Sequence, residues 1–351
     1  MPSRIAFECY RSRARLLSPL NGYEEVVSET ELRSDPLSGR VAIIGLNLAG
    51  KRTVLYSETD EVLLQGLAET SRGRCFFCPE RVGKATPRYP DDVLPGSGGR
   101  LGRGGSVLFP NLFPLTDYHA VVALGREHFL RLDRFEPALL AEGLSLALDF
   151  VRQVTTREDA PRHWAVCCNY LPPGGASIVH PHIQVLGSAL PMATPALELE
   201  RAREHLGRHG TCYFNDLVRT EEDRGERFIG RVGRVAWIAA FAPRGNNEVQ
   251  GVCEGARDLT ELDDEHVAGL AAGLSRGLTA YHRLKLSTFN FAIYSAPVGG
   301  EHDEFRVYAS LVSRQSVVEN YRCDDYFLQK MLGAEVLVDP PETIAALVRN
   351  P

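Results

Sequence analysis

"GGASIVHPHIQVLGS", Gly174 to Ser188, sets two of the chain's ten histidines one residue apart, with a proline between them and Gln184 behind. On a strand, successive side chains face opposite ways. His180, His182 and Gln184 then share one face, and Val179, Pro181, Ile183 and Val185 share the other. The apolar face packs on a core and the polar face lines a site. Pro181 has no ladder donor, so the strand is expected at an edge or rim of its sheet. Two histidines on one face stand roughly 6–7 Å apart by strand rise. That suits one as an anchor and the other as a reagent. The plainer alternative is a pair of half-exposed histidines on an edge strand.

The surrounding chain has 351 residues, 44% hydrophobic and 24% charged, too long for one small core. Its net charge of -6 offers no broad basic surface to nucleic acid, so a phosphate ligand has to be held by local groups. The basic start, "MPSRIAFECYRSRARLLSPL", lacks an apolar stretch of signal-peptide length, and no window approaches ~20 apolar residues, so no membrane partner is expected. Eight thinly spread cysteines do not form a secreted disulfide framework, which points to a reducing cytoplasm.

The second half retraces the first. Helical spacing runs over 135–154 and again over 262–284, where the first turn is acidic. "WAVCCNYLPPGG" parallels "FNFAIYSAPVGG", and "CFFCPE" at 75–80 parallels "CYFNDL" at 212–217. His180 then falls opposite Arg306 and His182 opposite Tyr308. The pattern predicts a duplication: an irregular lead-in over 1–32, a first unit over 33–195, and a degenerate second unit over 196–351. The glycine-rich stretch at 95–106, "PGSGGRLGRGGS", has no P-loop lysine-serine after it and is expected to be a mobile loop. The run from Gly210, "GTCYFNDLVRTEEDRGERFIGRVGRVAWIAAFAP", is expected to hold strands and hairpin turns.

Cys75 and Cys78 have the two-residue gap that lets both thiolates reach one metal. Two more ligands are needed. His128 and His180 are the best candidates, and His119 is the alternative for the third. A closed site of two cysteines and two histidines is structural, so a zinc ion there braces the strand and does not run the chemistry. His182 is left for covalent work. Neutral imidazole attacks phosphorus well at pH 7, provided its other nitrogen is held by an acceptor. Gln184 can donate to a phosphoryl oxygen. The turn from Pro172 to Ser177 can aim backbone N–H groups and the Ser177 hydroxyl at the same charge, or merely turn the chain.

These residues resemble the galactose-1-phosphate uridylyltransferase branch of the histidine-triad superfamily. That branch carries N-x10-H-P-H-x-Q, matched here by Asn169, His180, Pro181, His182 and Gln184, with Gly175 and Ser177 in register. The resemblance extends to "RSDPLSGR" (33–40), to Cys75 and Cys78, to "FPNLFPL" around Asn111, to His128, and to "KMLGAEV" with Glu335. It covers residues 33–345, nearly the whole chain.

The resemblance implies an α+β fold: two histidine-triad-like units, each an antiparallel sheet with helices on one face, related by a pseudo-twofold. It implies a nucleotidyltransferase working by double displacement. The nucleophile maps to His182, the phosphate-contacting glutamine to Gln184, and the zinc ligands to Cys75, Cys78, His128 and His180. Asn111 and Asn169 map to nucleotide-contacting positions, with Gly175, Arg52, Arg314 and Glu335 as further substrate-binding candidates. A nucleoside monophosphate, uridine monophosphate by family, passes from a nucleotide sugar to His182 and then to a sugar 1-phosphate. The family also implies a homodimer.

Departures bear on the substrate. "GLNLAGKR" keeps only Lys51 and Arg52 of the family's basic run, and "VDPPE" stands where a hexose-contacting glutamine is expected. Tyr294, Arg306 and Tyr308 stand where a second metal has its histidines, so no second metal is expected. Relatives of this fold include nucleotide-sugar phosphorylases and dinucleoside polyphosphate phosphorylases, which use phosphate as acceptor. Arg306 and Arg314 are candidates for an anionic acceptor, or for ordinary strand pairing. A non-catalytic nucleotide-binding protein is the alternative of another class. An intact His182 and Gln184 argue against it.

Overall fold

The computed structural model describes residues 4–45 and 57–350. Lys51 and Arg52 lie outside the described residues.

The main sheet has ten strands: β4 (Leu101–Arg103), β5 (Ser106–Pro110), β6 (Tyr118–Ala123), β7 (His163–Tyr170), β8 (His182–Ser188), β9 (Phe228–Val232), β10 (Val235–Ala239), β11 (Val249–Cys253), β12 (Phe289–Tyr294) and β13 (Tyr308–Ser313). Their order is β4-β5-β6-β8-β7-β12-β13-β11-β10-β9, and every pairing is antiparallel. Read outward from the β7–β12 seam, the two halves have the same order, so the duplication is visible in topology. The strand that opens at His182 matches the strand that opens at Tyr308.

Two long helices cover one face: α3 (Pro137–Val154) and α6 (Asp264–Arg283). Each precedes the seam strand of its half. Pro137 at the first position starts α3, and an Asp263–His266 capping box starts α6. Leu144, Ala147 and Val151 of α3 and Leu270, Leu274 and Leu278 of α6 pack into one core with Ile183, Val185, Ala309 and Leu311. The alternation read at 179–185 thus holds from the strand's start. Ile183 and Val185 face the core, and His182 and Gln184 the opposite side.

That opposite side carries three zones. At one end α2 (Pro79–Ala85), entered through the Cys75–Cys78 turn, packs Phe77, Cys78 and Val82 on Phe109, Val121 and Ala123. At the other, Ala202 of α4 (Ala193–His209) and Phe214, Leu217 and Val218 of α5 (Tyr213–Arg224) pack on Ala236, Ile238 and Tyr308. A groove of about 380 Å³ lies over the strands at and beside the seam.

A second sheet of four strands, β1 (Cys9–Ser18), β2 (Glu24–Ser34), β3 (Val41–Gly45) and β14 (Ala334–Leu337), has order β1-β2-β3-β14. The parallel β3–β14 pair sets Glu335 opposite Ala42 and brings the C-terminal segment to the groove.

Several expectations are corrected. Residues 9–18 and 24–34 form a paired hairpin, although 1–32 was expected to be irregular. The glycine-rich 95–106 stretch is built in, because Leu101–Arg103 pairs with Ser106–Leu108 and Gly99 comes so close to Tyr89 that a Cβ would meet its carbonyl at 2.3 Å. Residues 213–224 are helical, since Phe214, Leu217 and Val218 share a face that buries on the sheet. The strand carrying His182 is central, between β6 and β7, and not at an edge. Pro181 precedes the strand, so no ladder donor is lost, and its carbonyl accepts from Leu124 N at 2.8 Å. His180 also precedes the strand.

Candidate active site and metal cluster

Cys75, Cys78, His128 and His180 come together. One possible ligand atom from each lies within 4.8 Å of the others, and all four residues are buried. His128 Nδ1 is 3.4 Å and His180 Nδ1 3.9 Å from Cys78 Sγ. The chain itself sets the His128 tautomer. The Ser71 hydroxyl, on α1 (Glu61–Arg72), donates to Leu67 O at 2.7 Å, so it accepts from His128 Nε2 at 2.9 Å. Nδ1 is then left bare toward the sulfur. Burial pushes the Cys78 thiol up to about 11 and holds His180 down at about 4. A bound cation reverses the thiol shift by stabilising thiolate, and two thiols with two neutral imidazoles fit a tetrahedral metal. His119, the alternative ligand, lies elsewhere.

The nucleophile candidate follows directly. His182 Nδ1 donates to the His180 carbonyl at 2.9 Å, which leaves the Nε2 lone pair unengaged by that bond. His180 therefore serves twice: its ring joins the metal cluster and its carbonyl fixes the His182 tautomer. Phe77, between the two cysteines, meets the His182 ring edge-on at 5.3 Å. Cys168 Sγ holds the His182 carbonyl at 3.1 Å. Burial lowers the His182 pKa, so the ring is neutral at pH 7.

Gln184 is two residues on, on the same strand face. Its Oε1 is 2.9 Å from His119 Nε2, and Asn111 Nδ2 is 3.1 Å from that same nitrogen. Asn111 and Gln184 thus meet through a residue assigned no such role from the sequence. Across the strand pair, Cys167 stands opposite Gln184, and Cys167 and Asn169 begin the groove. Asn169 has a fixed orientation. Asn290 Nδ2 donates to Gly174 O at 2.7 Å and to Asn169 Oδ1 at 2.8 Å, so the Asn169 amide nitrogen is the free end. It lies beside Gly175, whose φ is +89°.

The Pro172–Ser177 turn does less than expected. The N–H groups of Gly174, Gly175 and Ala176 bond back to Leu171 and Pro172 carbonyls, so they are not aimed at a ligand. Buried Leu171 holds φ 62°, ψ 163°, a conformation favouring glycine. Ser177 is exposed.

Arg314 and Glu335 both line the groove. The Arg314 guanidinium is engaged, with two bonds to Asp324 at 2.8 and 2.6 Å and one to Asn290 Oδ1. It orients Asn290 and offers little free charge to an anion. Glu335 Oε1 accepts from Gln329 Nε2 at 2.8 Å and Val336 N at 3.0 Å. Burial raises its carboxyl to about 7. Asn169, Asn246, Asn290, Ser310 and Glu335 give the groove a polar lining.

In the second half, the Arg306 guanidinium bonds the carbonyls of Asp303 and Phe305. Tyr294 and Tyr308 stack at 4.8 Å with the Arg244 guanidinium over both rings. Among the described residues, no helix is long and apolar enough to cross a membrane.

No protein-family model matches the chain. An uncharacterized protein of Archaeoglobus fulgidus is 30% identical over 341 residues, 97% of this chain and 98% of that protein. Among solved structures, a GalT-like protein of Arabidopsis thaliana aligns with TM-score 0.68 and 18% identity over 91% of this chain and 98% of its own. An ADP-glucose phosphorylase of Arabidopsis thaliana, with ADP-glucose bound, gives TM-score 0.68 and 19% identity over 92% of this chain and 99% of its own. A uridylyltransferase gives 0.64 and 19% over 91% and 97%. The chain therefore belongs to one family with the Archaeoglobus fulgidus protein, and its fold is the one shared by the GalT-like protein, the ADP-glucose phosphorylase and the uridylyltransferase.

Proposed function

We propose that the protein is a nucleotidyltransferase that takes a nucleoside monophosphate from a nucleotide sugar on His182 and hands it to a sugar 1-phosphate. The observation that carries the reading is the His182–His180 carbonyl bond at 2.9 Å, which gives a neutral imidazole with one defined lone pair. In the first step Nε2 attacks the α-phosphorus. An N–P bond forms, the P–O bond to the sugar 1-phosphate breaks, and the leaving group departs with the electron pair. The proton stays on Nδ1, still donated to the His180 carbonyl, whose oxygen stabilises the positive charge that the ring acquires. In the second step an acceptor phosphate oxygen attacks the same phosphorus, the N–P bond breaks, and neutral His182 returns. Phosphorus inverts twice and keeps its configuration. The Gln184 amide stabilises the phosphoryl oxygens, and the groove takes the sugar hydroxyls through the Asn169 amide nitrogen, which Asn290 holds in place, and Glu335.

Cys75, Cys78, His128 and His180 would hold zinc, which supplies a rigid brace for the strand entrance. Uridine is the base supported by the uridylyltransferase motif. Adenosine is supported by the likeness to the ADP-glucose phosphorylase, which also favours a second reading with inorganic phosphate as acceptor. We place the protein in the cytoplasm as a homodimer.

Acceptor dependence tests the reading. With UDP-glucose or ADP-glucose as donor, the proposal expects nucleotide exchange that requires added sugar 1-phosphate. Turnover with inorganic phosphate alone selects the second reading. Ligand binding without turnover under any acceptor rejects both in favour of a binding protein.

A further inference from the structure

His119 lies outside the metal cluster, and its own hydrogen bonds decide which ring nitrogen carries the proton. Leu115 N–H donates to His119 Nδ1 at 3.2 Å. A nitrogen that accepts carries no proton, so in the neutral ring the proton is on Nε2. Burial lowers the His119 pKa and keeps the ring neutral. Nε2–H, 2.9 Å from Gln184 Oε1, is therefore the donor of that bond. Asn111 does not compete. Its Oδ1 accepts from Phe113 N at 2.9 Å, which turns Nδ2, itself a donor, toward His119 and leaves the ring proton to Gln184.

An amide has two ends of opposite sign. With Oε1 taken by His119, the end of Gln184 left over is the NH2 group. Were the amide reversed, its oxygen would face a phosphoryl group that gains negative charge as His182 attacks. We propose that His119 is a positioning residue: by holding Gln184 Oε1 it directs the Gln184 N–H groups to the phosphoryl oxygens. The inference rests on the nucleotidyl-transfer reading above, and it gives a task to a buried histidine that neither the metal cluster nor the covalent step uses.

A double-mutant cycle tests it, with the rate of nucleotidyl-enzyme formation as readout and UDP-glucose and ADP-glucose as the donors. Gln184→Ala is expected to slow adduct formation by about 100-fold, the size of one lost transition-state donor. His119→Ala should slow it by about tenfold, because the amide then samples both orientations. The double variant should be no slower than Gln184→Ala alone, since His119 acts through Gln184. His119→Gln, which keeps an N–H donor, should regain most of the rate, and metal content should stay at the parent value throughout. Losses that multiply to about 1,000-fold in the double variant overturn the inference, because His119 then acts independently. Metal loss in His119→Gln overturns it too. If His119→Ala fails to fold, His119→Asn takes its place and the same two outcomes decide. A parent that forms no adduct defeats the transfer reading and this inference together. An adduct with multiplying losses defeats this inference alone.

Discussion

Strands β8 and β13 occupy matching places in the two halves and differ in nearly everything polar. Inward, Ile183 and Val185 of one and Ala309 and Leu311 of the other enter the same core. Outward, His182 and Gln184 of one correspond in position to Tyr308 and Ser310 of the other. The His182 ring donates to a carbonyl at 2.9 Å beside a cluster of two thiols and two imidazoles. The Tyr308 hydroxyl donates to Glu198 at 2.5 Å, Ser310 to Glu248 at 2.7 Å, and Arg244 lies between the two carboxylates at 3.2 and 3.0 Å. One half fits a metal cation; the other is held by a guanidinium. The pleat keeps the two faces independent, so inward residues preserve the fold while outward ones diverge.

The largest predicted contrast is catalytic. His182→Ala should slow adduct formation by at least about 1,000-fold while Tyr308→Phe leaves it within about threefold, measured as single-turnover rates. Next comes the metal: Cys78→Ser should lose it by elemental analysis and lower unfolding free energy by about 4 kcal/mol. Arg244→Met should cost about 3 kcal/mol in urea unfolding by leaving Glu198 and Glu248 buried without their cation, yet keep full metal content. Equal metal loss in both variants would break the comparison.

The smallest effect concerns Glu335. Burial raises its carboxyl from 4.5 to about 7, so the folded chain binds this proton more tightly than the unfolded one. Its stabilisation is complete below pH 4.5 and is lost as pH rises toward 7. Glu335→Gln should flatten unfolding free energy across that window and stabilise the protein at pH 8 by about 1–2 kcal/mol.

The alternation from His182 to Val185 and the spacing of Cys75 and Cys78 were legible because period and spacing are local. The matching halves were legible because both keep a long helix before a seam strand. Pro181 misled because its cost falls only on residues inside a ladder, and the ladder starts one residue later. The β1–β2 hairpin hid because Arg11, Arg13 and Arg15 alternate along a strand whose two faces are largely exposed, pairing across to Glu31, Glu29 and Glu25. Helix α5 hid behind its match to the cysteine turn and its charge-rich end. Ser71, Phe77 and the task of His119 depend on contacts between distant segments, and no spacing announces them. Arg314 looked like an anion site because a sequence does not show Asp324 folding back onto it.

Intact-protein mass spectrometry shows whether His182 carries the nucleotide. The parent and His182→Ala are mixed separately with UDP-glucose and ADP-glucose. The expected result is one nucleoside-monophosphate adduct on the parent, none on His182→Ala, and a mass that names the base. An adduct of equal yield on His182→Ala, or none on a folded, metal-loaded parent with either donor, would contradict it.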